Sequence, residues 1–108
     1  MGLLLHMEFA RQMVQIRKEF YMEELKQIIE KVRTMYRYNK KLEKILVNPA
    51  SIRIVEENGD LKPMSIIFDN YDKDIIAITS KSIKYFDCKQ NEWEILAEFK
   101  DFKELLNM

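Results

Sequence analysis

Glycine is nearly missing from this chain. Gly2 and Gly59 are the only two in 108 residues. Phosphate-cradling loops need glycines so that the backbone can approach the ligand, so nucleotide binding through such a loop is excluded. Cys88 is the single cysteine and His6 the single histidine. One cysteine cannot close an intrachain disulfide, which suits a reducing cytoplasm, the expected location. One of each cannot hold a transition metal, so no metal or other cofactor is expected. Proline occurs only at Pro49 and Pro63. No apolar run approaches the ~18 residues a membrane span requires. The start of the chain has no basic region ahead of its short apolar run, so it does not read as a signal peptide. Myristoylation at Gly2 would want Ser or Thr where His6 stands.

Charge of one sign is also missing, with 18 basic and 18 acidic residues. The balance is uneven along the chain. Residues 1–50 carry 10 Lys/Arg against 6 Asp/Glu, and residues 51–108 carry 8 against 12. The first half is thus +4 and the second −4, a mild pointer to an acidic partner for the helical half. With 47% hydrophobic and 33% charged residues the composition is that of a folded chain.

What the chain does have is helix. Glu8 to Leu46 contains neither Gly nor Pro, and an apolar stripe recurs at helical spacing. One unbroken helix would be about 58 Å long. Phe9, Met13, Ile16 and Phe20 form a first phase. The stripe then shifts to Leu25, Ile28, Val32, Met35, Asn39, Leu42 and Leu46, which alternate between the two apolar positions of a heptad. Such a helix overhangs a small domain, so these seven residues are the expected seam of a homodimer. Ile29, Tyr36 and Ile45 widen the stripe, which suits a helix covered by more than one neighbour. Asn39 either fixes register inside that seam or marks a break between two helices, because Thr34 to Asn39 is the weakest helical stretch. Met7, Met13, Met22 and Met35 suit core filling or an adaptable groove. Asn48-Pro49 stops the helix.

From Ser51 the period changes to two. Ile52–Val55, Met64–Phe68, Ile75–Thr79, Ile83–Cys88 and Trp93–Phe99 read as strands. Asn58-Gly59 signals a hairpin, and Pro63 places the start of the second strand at an edge. Trp93, Ile95, Ala97 and Phe99 predict one buried face. Asp101 with Glu104 forms a capping box for a short closing helix. The expected fold is α+β: a long N-terminal helix or helical hairpin, an antiparallel meander of about five strands, and a short C-terminal helix. The expected division is 1–48, a helical dimerisation or partner segment, and 49–108, the meander with its helix.

No catalytic constellation stands out. Cys88 has no histidine partner in its neighbourhood. The acidic turn from Asp69 to Asp74 places Tyr71 and Lys73 where a calcium loop needs oxygen ligands, and it lacks the required glycine. A pocket with perturbed titratable groups around Cys88 or Asp87 would point to an enzyme instead. The clearest functional pattern is a basic face. Arg33, Arg37, Lys40, Lys41 and Lys44 would share one side of a continuous helix, with Tyr36 and Tyr38 between them. Cations neutralise phosphates and tyrosines stack on bases, although charge on a helix normally faces water.

One local resemblance bears on function. Tyr85-Phe86-Asp87, then Asn91-Glu92-Trp93-Glu94-Ile95, then Phe99 to Leu106, resembles the closing strands and helix of SUKH-type immunity domains, over about a quarter of the chain. The resemblance implies a toxin-neutralising binder. The Tyr-Phe-Asp to Trp spacing is also similar to one kelch hairpin, but no repeat follows, which excludes a propeller. The expected function is a small non-enzymatic protein that binds another macromolecule, as regulator, adaptor or inhibitor. Nucleic-acid binding and toxin neutralisation are the alternatives. The Lys, Ile and Asn content would suit a phage or mobile element.

Overall fold

A computed structural model describes residues 22–56 and 63–108 of the chain. The first helix, α1, occupies residues 22–35 of these. A turn over residues 36–38 follows, and then α2, Lys40–Val47. The sheet comprises β1 (Ser51–Glu56), β2 (Pro63–Asp69), β3 (Ile75–Thr79), β4 (Ser82–Asp87) and β5 (Glu92–Glu98). A short helix, α3, Phe102–Leu106, closes the chain. The strands lie in sequence order β1-β2-β3-β4-β5, each antiparallel to the next. The α+β reading holds, with the helical segment taking the form of two helices.

Of the two readings of the helical half, one long helix or two, the break at Asn39 gives two. The Asn39 backbone is extended (φ −94°, ψ 100°), and its side-chain oxygen accepts from the Leu42 amide. Asn is among the best residues for satisfying the free amides at a helix start, so it begins α2. The stretch from Thr34 to Asn39 was already poor in helix formers, and the cap decides the break. Asn48 ends α2, its amide donating to the Lys44 carbonyl at 3.1 Å, and Pro49 bars continuation. The Arg33 Nε donates to the Leu46 carbonyl at 3.0 Å, which ties α1 to the end of α2.

The helices share a core with one face of the sheet. Leu25, Ile28 and Val32 come from α1, and Leu42, Ile45 and Leu46 from α2. They meet Ile66, Phe68, Ile76, Ile78, Ile83 and Tyr85 from the strands, and Phe99 and Leu105 near α3. Each buried Leu or Ile contributes about 1.5–3 kcal/mol. The residues expected to form a dimer seam lie largely within this core. Leu25, Ile28, Val32, Leu42 and Leu46 are at most 3% exposed inside the chain's own core, Met35 packs against it, and Asn39 is a cap. The segments 1–48 and 49–108 contribute to this one cluster. At the β1 edge the covering is thinner, with Ile52 43% and Ile54 41% exposed.

Scarce glycine leaves its mark on the turns. Lys73 (φ 64°) and Asn91 (φ 54°) take left-handed conformations that glycine usually fills. Side chains hold these turns instead. Asn70 Oδ1 accepts from the amides of Asp72 and Asp74, and Thr79 Oγ1 from those of Lys81 and Ser82. Pro63 is the first residue of β2 and pairs with Glu56 of β1, ahead of the first β2–β3 pair at Ser65 and Thr79, so its missing amide falls at a strand end. The Asn58-Gly59 hairpin and the first-phase residues Phe9 to Phe20 lie outside the described residues.

The largest local departure is in β5. Ile83 pairs with Ala97 but Lys84 with Ile95, so Leu96 is an extra residue, a β-bulge. An extra residue reverses which side the alternation faces. Ala97 and Phe99 turn toward the core, and Phe99 is buried. Trp93 and Ile95 turn to the other face and are each 55% exposed. The single buried face expected from Trp93 to Phe99 is thus split in two by the bulge.

Candidate functional site

The bulge builds two neighbouring surfaces around β4 and β5. The outer sheet face, opposite the helices, follows from the registers. One row across the sheet is Asp69, Ile75, Phe86 and Trp93, and the next is Arg53, Ile67, Ala77, Lys84 and Ile95. Phe86 and Trp93 lie against each other, ring centroids 5.1 Å apart and tilted by 39°. All the described helical core residues lie on the other side, so this apolar face is open among the described residues.

On the helical side, where α2 begins beside the end of β4, lies a cleft of about 500 Å³. Asn39, Lys41 and Leu42 form one wall, Tyr85 and Asp87 the floor, and Glu92, Glu94 and Leu96 the other wall. The β4–β5 ladder sets Glu94 opposite Tyr85 and Glu92 opposite Asp87. The Lys41 Nζ donates to Asp87 Oδ2 at 2.9 Å and stands 5.2 Å from the centre of the Tyr85 ring. Asp87 Oδ1 accepts from the amides of Lys89 and Gln90, which fixes the turn. Tyr85 is 6% exposed, and its hydroxyl has no hydrogen-bond partner among the described residues.

The electrostatics follow this geometry. The Tyr85 hydroxyl beside it and then Asp87 hold the Lys41 ammonium above its ordinary value. The Lys41 ammonium in turn lowers the Asp87 carboxyl. Burial raises the Tyr85 phenol, and Lys41 partly offsets this. A pocket with perturbed groups around Asp87 is thus present. The shifts, however, run away from neutral pH: each partner of the ion pair is held in its charged form. A general acid or base wants the opposite displacement, toward the working pH. The arrangement anchors a turn and supplies fixed charge.

The five cations of the expected basic face are not brought together on one helix. Arg33 sits on α1 and is bound to Leu46, Arg37 lies in the turn with its guanidinium 4.8 Å from the Tyr38 ring, and Lys41 is paired with Asp87. Lys40 and Lys44 are exposed on α2. The break at Asn39 is the physical reason the helical spacing fails across them. Cys88 is half-buried, its amide donating to Asp74 Oδ1 at 2.9 Å, and His6 lies outside the described residues. Asp74 also accepts from Asn70 Nδ2 at 3.4 Å, so the acidic turn is knitted to the end of β4. Among the described residues no cluster of three His, Cys, Asp or Glu could hold a metal, and no helix is long and apolar enough to cross a membrane. A larger groove of about 820 Å³ runs along α1, lined by Glu23, Glu30, Lys26, Lys31, Ile29 and Leu106 among others. Its charges oppose each other and give it no chemical preference.

Sequence reasoning missed the Lys41–Tyr85–Asp87 cleft. Lys41 was visible only as a surface cation, and the strand register that joins it to Asp87 is not written in local pattern. No protein family matches the chain, and no curated protein or solved structure matches it. The SUKH-type resemblance of the closing strands therefore gains no support from relatives.

Proposed function

We propose that this is a non-enzymatic protein that works by binding another protein, as a regulator, adaptor or inhibitor. The observation that carries the reading is the open outer face of the sheet, with Trp93 and Ile95 each 55% exposed beside Phe86. Exposed apolar surface that is contiguous, with an aromatic at its centre, is what docking sites are made of. A toxin-neutralising protein would be one form of this reading. The nucleic-acid alternative has less behind it, because two of its five cations are engaged within the chain. A homodimer through the helical stripe would have to open the core.

The test is retention of a host protein by the immobilised chain, compared with a Trp93→Asp, Ile95→Asp variant that keeps its far-ultraviolet dichroism. One protein should stay on the wild type at about 0.5 M salt, where exposed charges are screened within a few ångströms. It should be lost from the variant. The same retained set on both, or an empty wild-type column, would refute the reading.

A further inference from the structure

We propose that the free edge of β5 takes an extended strand of the protein partner in which basic and apolar residues alternate, its basic side chains entering the Tyr85–Glu94 cleft and its apolar ones covering Trp93 and Ile95. This inference rests on the protein-binding reading and names the chemistry of the partner.

Two observations support it. First, β5 is the last strand of an open sheet, and no described residue pairs with its outer side. An unpaired edge offers a row of amides and carbonyls to an added strand. Residues 92–95 precede the bulge, which bends the strand from Leu96 onward. Secondly, the two faces of this short stretch differ in kind. Glu92 and Glu94 point to the helical side and Trp93 and Ile95 to the outer side, so an incoming strand meets carboxylates on one face and apolar surface on the other. The cleft's charged lining is Lys41 against Asp87, Glu92 and Glu94. With Lys41 spent on Asp87, the two glutamates leave it net negative. An added strand lies one strand spacing from β5, about 5 Å, so its side chains on the helical face stand directly beside Glu92 and Glu94.

The same charges argue against a second copy as the occupant. Pairing β5 with β5 of another molecule would set Glu92 and Glu94 opposite the same residues, and like charges directly opposite destabilise a ladder.

Trp93 is the only tryptophan, so its fluorescence reports on this edge. The probes are a capped octapeptide of alternating lysine and valine and its glutamate–valine counterpart. The lysine peptide should shift Trp93 emission saturably, and the glutamate peptide should not. Charge reversal at Glu92→Lys with Glu94→Lys should weaken the lysine peptide at least about tenfold and let the glutamate peptide bind. That exchange of preference cannot come from an unfolded variant. Equal response to both peptides, no response to either, or a preference unchanged by charge reversal would overturn the inference. So would finding that the peptide response merely tracks self-association of the chain by light scattering. Host-protein capture separates this from the broader reading. Equal capture by the charge-reversed variant and the wild type refutes the basic strand alone. Equal capture by Trp93→Asp, Ile95→Asp refutes the binding-protein reading itself.

Discussion

Tyr85 combines burial with an unanswered hydroxyl. A buried polar atom without a partner costs about 1–3 kcal/mol. Tyr85→Phe is therefore expected to stabilise the chain by about 1 kcal/mol, read as a rise in the urea midpoint at unchanged slope. A fall would show that the Lys41 ammonium beside the hydroxyl is worth more than the desolvation it suffers. The neighbouring ion pair has its own signature in pH. Asp87 is lowered on folding, chiefly by Lys41, so its contribution is full above the ordinary carboxylate range and fades as pH falls through the lowered value. Lys41 is raised, so its contribution is full below its ordinary value and fades only at strongly alkaline pH. Between the two the pair adds a constant amount. Unfolding of Asp87→Asn followed from about pH 5 to about pH 2 should lose stability less steeply than the wild type, because asparagine keeps the turn but has no charge to lose. Matching slopes would mean the pair is too exposed to matter.

At the level of elements, Asn39 decides the shape of the helical half. Asn39→Leu removes the cap of α2 and should cost about 1 kcal/mol, with the solution mass by light scattering unchanged. A seam residue would behave in the opposite way, changing the mass and raising stability. The five strands were legible as short runs rich in Ile, Phe, Tyr and Trp bounded by polar turns. The capping box at Asp101 and Glu104 was legible for a similar reason: Asp101 accepts from the Glu104 amide at 2.9 Å. The break in the long helix was half legible. Weak propensity over residues 34–39 marked the place, but an asparagine at heptad spacing reads equally as a seam residue. The bulge at Leu96 was not legible, since the apolar run Ile95-Leu96-Ala97 fits a continuous strand as well as one with an extra residue. The cleft was invisible for another reason. Its members come from α2, β4 and β5, and only the ladder between the strands brings Glu94 beside Tyr85.

Over the whole molecule, one cluster of side chains from α1, α2, the sheet and α3 holds everything together. Leu105→Ala should cost about 2–5 kcal/mol even though it lies in a helix of five residues, because Leu105 is fully buried in that shared cluster. A loss below about 1 kcal/mol would show that α3 is a detachable flap. Lys31 donates from α1 to the Met108 carbonyl, so the last residue of the chain is tied to α1. The strand order has a consequence for the chain while it is being made. Each strand pairs with the one just before it, so the sheet can zip up step by step as residues emerge, with only short loops to close. The apolar stripe of α1 gains no such early shelter at the α3 end. Phe99 and Leu105 belong to the same core as that stripe, and they follow all five strands in the chain. The growing chain is therefore stickier than the finished one, and chaperones would meet it chiefly in that interval.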